Sequence, residues 1–552
     1  MKQSQRHKKI FFKIIVIILF YLALSLLYMF PAIKNNHVFG FYDLSFHINR
    51  ALGLSNVLNS PINFNTFNSN GIQVNLFYPW LTVYPLYLLI KAFSSITVGY
   101  NFFMVLLTLC TLLISYLTMK IITGNETKSH FFAILYSFSA FRSVEIFFRG
   151  ALGEAIAMTI LPLVFLGIYI LFYKNENNWY ILTLGMTLLI YSHVLSTAMI
   201  SLFIILFLIF YLWTHKTITK TKILNLTKAA VLTIFLSSSL IFPMIEQTMY
   251  QKLNRPYTDI LQKRALLFGN QFLNDSFNND LKSFGIGFPL IVLTFVLLIN
   301  FKKLSRLSKT TLIFGLVSIY FSTKLFPWFL LQNTPLNIIQ APWRFMIFAT
   351  FFISFSSSIF LIDYFKILFL NRKKAFVLLT LFLLSLNYSS VVSMINVNTL
   401  NLQGVFSDKE ITNKVSSFET YDYVPSGFEN FTDNLSNHSV IIDEHPIVPT
   451  KKVSDSKIEF TFNNSFKDNA TATLPVYRYK GVTITVNDKP VKGITTPSQL
   501  VSVKTDQGIN KVIIKYKYTN LAKLSHLISI LSLLIFIILF ITFLNHRDKP
   551  HY

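Results

Sequence analysis

Cysteine is almost missing from the 552 residues: Cys110 stands alone, inside an apolar run. No intrachain disulfide can form, so any domain outside a membrane must hold itself together by packing. Charge is also scarce, at 13% of residues, and acidic charge scarcer still, with 24 Asp and Glu against 49 Lys and Arg. The sequence has no glycine-rich phosphate loop, no Cys or His pairs at zinc spacing and no Gly-x-Ser-x-Gly elbow. It has no ATPase motif either, so energy for any reaction must come from an activated substrate or an ion gradient. Tandem repeats, low-complexity tracts and long flexible linkers are absent as well.

What is plentiful is apolar surface. Hydrophobic residues make up 53% of the chain, many of them in runs long enough to cross a bilayer, which excludes a soluble fold. The formal net charge of +25 would suggest nucleic acid in a soluble protein. Here much of the Lys and Arg flanks apolar runs, where it sets orientation and attracts anionic membrane lipids, so no nucleic acid is expected. The first apolar stretch, Ile10 to Phe30, is too long for a signal-peptide core and lacks a small-residue cleavage site, so it reads as a retained first helix.

Further apolar segments follow near 100–122, 131–148, 152–173, 179–193, 195–213, 224–245, 285–301, 310–331, 343–363, 374–393 and 522–544. With the first, the expectation is about twelve transmembrane helices. A thirteenth candidate, Trp80 to Val98, contains Pro85 and Lys91 and follows Pro79. If it does not span and the N-terminus (Lys2, Arg6, Lys8, Lys9) is cytoplasmic, the short basic loops fall on the same side. These carry Lys120 and Lys128; Lys216, Lys220 and Lys222; Lys302, Lys303, Arg306 and Lys309; Arg372, Lys373 and Lys374; and Arg547 and Lys549. The positive-inside rule therefore predicts both termini in the cytoplasm and Trp80 to Val98 as a surface or re-entrant helix.

This reading divides the chain into a transmembrane domain over 1–393, with extracytoplasmic loops 31–99, 246–284 and 332–342, then an extracytoplasmic β-rich domain over 394–521, then a last helix and cytoplasmic tail over 522–552. Alternating runs Lys457 to Phe462, Gly481 to Val486 and Lys511 to Tyr518, with turn signals at Asn487-Asp488 and Gly508-Ile509-Asn510, predict a β-sandwich-like fold.

Candidate chemistry clusters on the extracytoplasmic side. In Tyr42-Asp43-Leu44-Ser45-Phe46-His47-Ile48-Asn49-Arg50, a helix would place Asp43, His47 and Arg50 on one face. A carboxylate beside an imidazole suits proton abstraction or a divalent metal, and a guanidinium suits a phosphate. The same pattern also fits a solvated amphipathic helix resting on the bilayer. Arg142, Glu145, Arg149 and Glu154 stand at an outer junction between two spans, where ionisable groups are costly unless paired or facing a wet cavity. Pairing of Arg142 with Glu145 is the structural alternative, and Gly150 and Gly153 allow a tight turn or a close approach. His193, between two spans, fits a packed residue as well as a site residue. Arg344, in Gln340-Ala341-Pro342-Trp343-Arg344-Phe345, is placed to meet an anionic headgroup or to snorkel. Their convergence on one membrane face favours a site.

The Tyr42 to Arg50 string, Phe77-Tyr78-Pro79-Trp80, Arg149-Gly150-Ala151-Leu152-Gly153-Glu154, Ser192-His193 and Pro342-Trp343-Arg344-Phe345 together resemble the bacterial membrane family labelled 6-pyruvoyl-tetrahydropterin synthase-related, close to the YfhO-type membrane proteins. Nothing resembles a soluble pterin enzyme. Both families are similar to the GT-C glycosyltransferase superfamily, which takes sugars from polyprenyl-phosphate carriers on the outer membrane face. The resemblance implies a bacterial cell-membrane enzyme with a polyprenyl-phosphate-linked sugar as donor and an envelope glycan, teichoic acid or lipid as acceptor. It implies Asp43 as catalytic residue, Arg149 and Arg344 on the carrier phosphate, and His47, Glu154 and His193 shaping the sugar or acceptor site; Arg50 joins them as a substrate-binding candidate from the helix spacing. Many of the superfamily carry an adjacent acidic pair where this chain has Asp43 alone, so a divalent metal stays open and no other cofactor is expected. Aromatics of the β-rich region such as Tyr477 and Tyr479 would suit a glycan acceptor if exposed, packing being the commoner use of such residues. Two other classes fit the spans: a transporter or flippase for lipid-linked precursors, which would place polar groups at the midplane and show related halves, and a non-catalytic envelope-assembly scaffold.

Overall fold

The structure, a computed structural model, describes residues 2–256, 259–368, 372–400 and 404–547. The side chains of Lys2, Arg6, Arg372, Lys373 and Arg547, and the whole of Lys549, lie outside the described residues.

Among the described residues seven helices are long and apolar enough to cross a bilayer: Lys8–Asn35, Ile96–Thr123, Leu152–Lys174, Val194–His215, Pro342–Tyr364, Phe376–Asn396 and Asn520–Thr542. Two broken pairs, Glu126–Ser137 with Ala140–Arg149 (bent by 46°) and Lys220–Leu236 with Ser238–Tyr250 (69°), raise the count to nine if each pair is one span. The expected twelve also included segments that fold as shorter helices, Tyr180–Ile190, Phe288–Ile299 and Arg306–Ser322. Local sequence cuts them short. Gly287 (φ +85°) and Pro289 delay one start. Tyr191-Ser192-His193 turns the chain after another, where the His193 ring accepts from the Ser196 N–H and caps the next helix. The Trp80 to Val98 segment yields only Tyr84–Phe93, 10 residues, or about 15 Å of helix against a core of about 30 Å. It turns back at Ser94 (φ +50°) and lies against the start of Ile96–Thr123.

Packing between helices relies on small residues and hydroxyls, as expected where the surroundings are as apolar as the side chains. A Cβ on Gly167 would stand 2.6 Å from the Leu182 backbone, and one on Gly185 3.1 Å from that of Val164. Pro162 inside Leu152–Tyr169 has no N–H to offer the carbonyl four residues back. That carbonyl, of Met158, instead accepts the Tyr136 hydroxyl at 2.7 Å. On the first and last helices most apolar side chains face outward, Phe11 and Phe12 being more than 60% exposed, a surface suited to lipid rather than water.

Strand β1 (Val38–Phe39), after the first helix, pairs antiparallel with β2 (Val405–Phe406). The β-rich region then forms two antiparallel sheets. One has the order β10-β7-β3-β4, with β3 at Val440–Ile442, β4 at His445–Ile447, β7 at Ala470–Tyr477 and β10 at Leu500–Thr505. The other has the order β5-β6-β11-β8-β9, with β5 at Thr450–Ser454, β6 at Lys457–Asn464, β8 at Val482–Val486, β9 at Lys489–Val491 and β11 at Gly508–Tyr516. Alternating burial along β6 and β11 follows the strand period. Asn487 and Asp488, both at positive φ, close the β8–β9 hairpin as an Asn-Asp pair should.

The two sheets share one core through Phe460, Leu474, Val503 and Val512, and the first interhelical loop contributes to it with Phe64, Phe67, Ile72, Val74 and Phe77. Tyr477 and Tyr479 are each 1% exposed, so they are packing residues and not a glycan platform; both lie at the junction where this loop meets the sheets.

Candidate functional site

At the end of the bundle where the β-rich region sits, charged side chains from separate segments converge. The second half of the first broken pair runs through a widened turn, Val144–Arg149, and stops at Gly150 (φ +66°). This geometry brings Arg149 Nη1 to 2.6 Å from Glu145 Oε2. Leu152 then opens the next helix and places Glu154 in its first turn, where the helix N-terminus favours a negative charge. Glu154 Oε2 accepts from Arg149 Nη1 at 2.9 Å and its Oε1 from Arg344 Nε at 2.9 Å.

The loop after the first helix is strapped to the same bend. Phe41 N–H donates to Phe148 O at 2.7 Å and Asp43 N–H to Arg149 O at 3.0 Å, while Asp43 Oδ2 accepts from Arg149 Nη2 at 2.9 Å. Glycine is required for that approach, since a Cβ on Gly150 would lie 2.8 Å from Leu44 Cβ. The Trp343 ring lies beneath both cations, 4.5 Å from Arg149 Cζ and 5.1 Å from Arg344 Cζ, and is stacked on Phe284 at 4.0 Å. Asp43, Arg149, Glu154 and Arg344 thus form a chain of alternating charge, with Glu145 a side branch on Arg149.

Exposure distinguishes the members. The Arg149, Glu154 and Arg344 side chains are 7, 4 and 12% exposed, but that of Asp43 is 38%. Asp43 is the member of the chain that opens to solvent. Protein surrounds its carboxyl on the other sides, and this burial raises its pKa against the lowering pull of Arg149. Asp422, from the segment preceding β3, has its pKa raised by burial first and by Asp43 second.

Behind Asp43 lies a second group centred on Tyr78. The helix Leu44–Leu52 begins at Asp43, but its polar residues are buried, Arg50 at 0% and His47 at 2% exposed, which overturns the reading of a solvated surface helix. Arg50 donates to Pro79 O at 2.7 Å, meets His47 Nδ1 at 3.4 Å and lies 4.2 Å over the Tyr78 ring. Burial, then the Arg50 charge, holds the His47 pKa well below the ordinary histidine value. His193 packs on Tyr78 at 5.5 Å between ring centroids, with Gly153 fitted between them; a Cβ there would collide with the Tyr78 hydroxyl. Arg142 does not pair with Glu145: it bonds Ser137 O at 3.1 Å and the Thr108 and Thr111 hydroxyls at 3.3 and 3.1 Å.

Tyr78, Trp343 and Asp422 were not among the candidates read from the sequence. The first two lie in motifs that were conspicuous, next to Pro79 and Arg344. Nothing local marks Asp422, which is brought in by the β-rich region. As a cation site the arrangement does not fit: the three carboxylates turn toward guanidinium groups, and among the described residues no group of three His, Cys, Asp or Glu stands close enough together to hold a metal.

The family model described as 6-pyruvoyl-tetrahydropterin synthase related domain, membrane protein, matches residues 76–399. The chain belongs to this family. The matched stretch of this family member includes Arg149, Glu154, His193 and Arg344 but not Asp43, His47 or Arg50. No curated protein matches it. A solved structure, ArnT from Cupriavidus metallidurans bound to undecaprenyl phosphate, is similar to 62% of this chain over 59% of its own length, at 10% identity and a TM-score of 0.39. A likeness this loose carries no argument about chemistry.

Proposed function

We propose that this membrane protein is a glycosyltransferase of the GT-C type, moving a sugar from a polyprenyl-phosphate donor to an envelope glycan, teichoic acid or lipid on the extracytoplasmic face of a bacterial cell membrane. The observation that carries the reading is the solvent-facing Asp43 carboxylate held by Arg149 in an ion-pair chain that ends on Arg344. The family resemblance in the quoted motifs supports it. So does the charge pattern. Lys120, Lys128, Lys216, Lys220, Lys222, Lys302, Lys303, Lys309 and Lys374 stand at helix ends remote from Asp43, as the positive-inside rule asks if the Asp43 end faces outward and both termini are cytoplasmic. The proposed division keeps 1–393 as the catalytic transmembrane domain, with the remaining passes toward twelve made by the shorter helices, and 394–521 as its extracytoplasmic cover.

In the proposed reaction Asp43 accepts the proton of an acceptor hydroxyl as that oxygen bonds to the sugar's anomeric carbon. The bond from that carbon to the carrier phosphate breaks, and the phosphate leaves with the electron pair. Arg344 is the better phosphate ligand: among the described residues its Nη2 makes no hydrogen bond, whereas Arg149 already meets three carboxylates. Arg149 is then a positioning residue for Asp43. His47, Arg50, Glu154 and His193 hold Tyr78 and Arg344 in place rather than meeting the carrier directly. No step is routed through a metal.

The test is mass spectrometry of envelope polymers and lipid-linked sugars from cells lacking the protein, complemented with wild type or Asp43→Asn at matched expression. Loss of one glycan substituent and build-up of its carrier-linked sugar, restored only by wild type, is expected. Full restoration by Asp43→Asn would sink the assignment.

A further inference from the structure

Away from the charged chain the bundle contains a cavity of about 280 Å³ between Leu152–Lys174, Val194–His215, Arg306–Ser322 and Met346–Leu368. Its wall is apolar and largely aromatic, with Leu161, Phe165, Phe207, Phe314 and Phe348 representative. Lining residues run from Leu161 to Tyr173 on one helix and from Ile200 to His215 on another, which at 1.5 Å per residue is roughly 18 to 22 Å. A void this long with so little volume is a slot about one chain wide. Glu154, His193 and Arg344 stand beyond its other end on three of the same helices, with Phe348 about one turn from Arg344, and none of the three lines it.

The slot ends at Arg306 and His215. Around that end lie Lys174, Lys216, Lys302, Lys303 and Lys309, at the ends of the same helices or in the short connection before Arg306. Among the described residues neither these lysines nor Arg306 has a carboxylate partner; Lys174 reaches only the Ile121 carbonyl and Lys309 lies over the Phe301 ring. An apolar slot does not hold water, and a ring of uncompensated cations at its mouth calls for an anion.

We propose that the slot holds one acyl chain of an anionic glycerophospholipid from the leaflet at this end of the bundle, with the lipid phosphate on Arg306. The guanidinium supplies paired donors to the phosphate oxygens, and the lysines supply the field that selects an anionic headgroup. At its other end, by Ile200 and Phe348, the slot comes within about two turns of His193 and Arg344, but no charged side chain lines it there, whereas Arg306 lines the mouth, so a bilayer lipid with its phosphate at Arg306 is the better fit. Because three wall helices also carry Glu154, His193 and Arg344, the lipid would brace the helices that hold the site. The inference does not depend on the proposed reaction.

The experiment is native mass spectrometry and thermal unfolding of the full chain, delipidated and then supplied with phosphatidylglycerol, phosphatidylcholine, undecaprenyl phosphate or glycerol phosphate. Wild type is expected to retain phosphatidylglycerol over phosphatidylcholine by about tenfold or more, the scale of one charge-assisted contact, and to unfold at a higher temperature with it. Arg306→Ala should lose that preference, and Ile204→Trp, which fills the slot, should lose retention of the lipid. Equal retention of the two phospholipids, undiminished retention by both variants, displacement by undecaprenyl phosphate, or equal stabilisation by glycerol phosphate alone would each overturn the proposal.

Discussion

At the residue scale the site rests on a few positions where no neighbour can move cheaply. Gly153→Ala places a methyl group against the Tyr78 hydroxyl and 3.0 Å from His193 Cδ2. Overpacking of this kind costs about 1–3 kcal/mol, and because Tyr78 carries Arg50 and His47, activity should fall more than stability; kinetics beside a thermal melt checks this. Glu154→Gln removes the charge shared by Arg149 and Arg344, and breaking such a buried pair costs about 3–5 kcal/mol, measurable as a lowered unfolding midpoint. Two pH effects follow from opposite shifts. The raised Asp43 pKa keeps its carboxyl protonated above the ordinary aspartate value of about 3.9, so the acidic limb of the rate profile should lie above that value. His438, in the β-rich region, is held at about 4 by burial first and Lys451 second. Unfolding frees it to take up a proton, so stability is lost as pH falls from about 6.5 toward the folded value. His438→Asn, which suits the left-handed backbone there (φ +53°), should flatten that dependence in urea unfolding.

Elements explain what the sequence revealed and what it hid. The long apolar runs were legible because span length is a composition property, and Asn487-Asp488 was legible because the hairpin needs those residues. The breaks at Ser139 and Ser237 were not, since bent pairs such as Glu126–Ser137 with Ala140–Arg149 read as continuous apolar text. Of the site, the residue types in Asp43, Arg149, Glu154 and Arg344 marked an expensive place for charge, but their partners were not deducible: Arg149 pairs across 106 positions with Asp43 and Arg344 across 190 with Glu154. Periodicity put Asp43, His47 and Arg50 on one helix face, yet only tertiary packing turns Asp43 toward Arg149 and buries the other two against Tyr78. The hydroxyl that compensates Pro162 offers a compact check: Tyr136→Phe strands the Met158 carbonyl and should cost about 0.5–1.5 kcal/mol in thermal unfolding.

On the scale of the whole molecule, the β-rich region and the first interhelical loop behave as one packing unit. Asp455 accepts from Asn65 Nδ2 at 2.6 Å and from Ser55 Oγ at 2.5 Å, and Tyr518 donates to Val57 O at 2.8 Å. A fragment of residues 404–519 would lose Phe64, Phe67 and Phe77 from its core and should show poor hydrogen-exchange protection, improved by supplying residues 53–78. The loop therefore has two functions, completing the sandwich core and holding Asp43 at the bundle's end.

The proposed sugar transfer can be followed with purified protein in liposomes, given polyprenyl-phosphate sugars extracted from cells that lack the protein together with their envelope fraction, and assayed by mass spectrometry for free polyprenyl phosphate. Wild type should release the carrier and Asp43→Asn, with an unchanged melt, should not. Release by both proteins alike, or by neither, would contradict it.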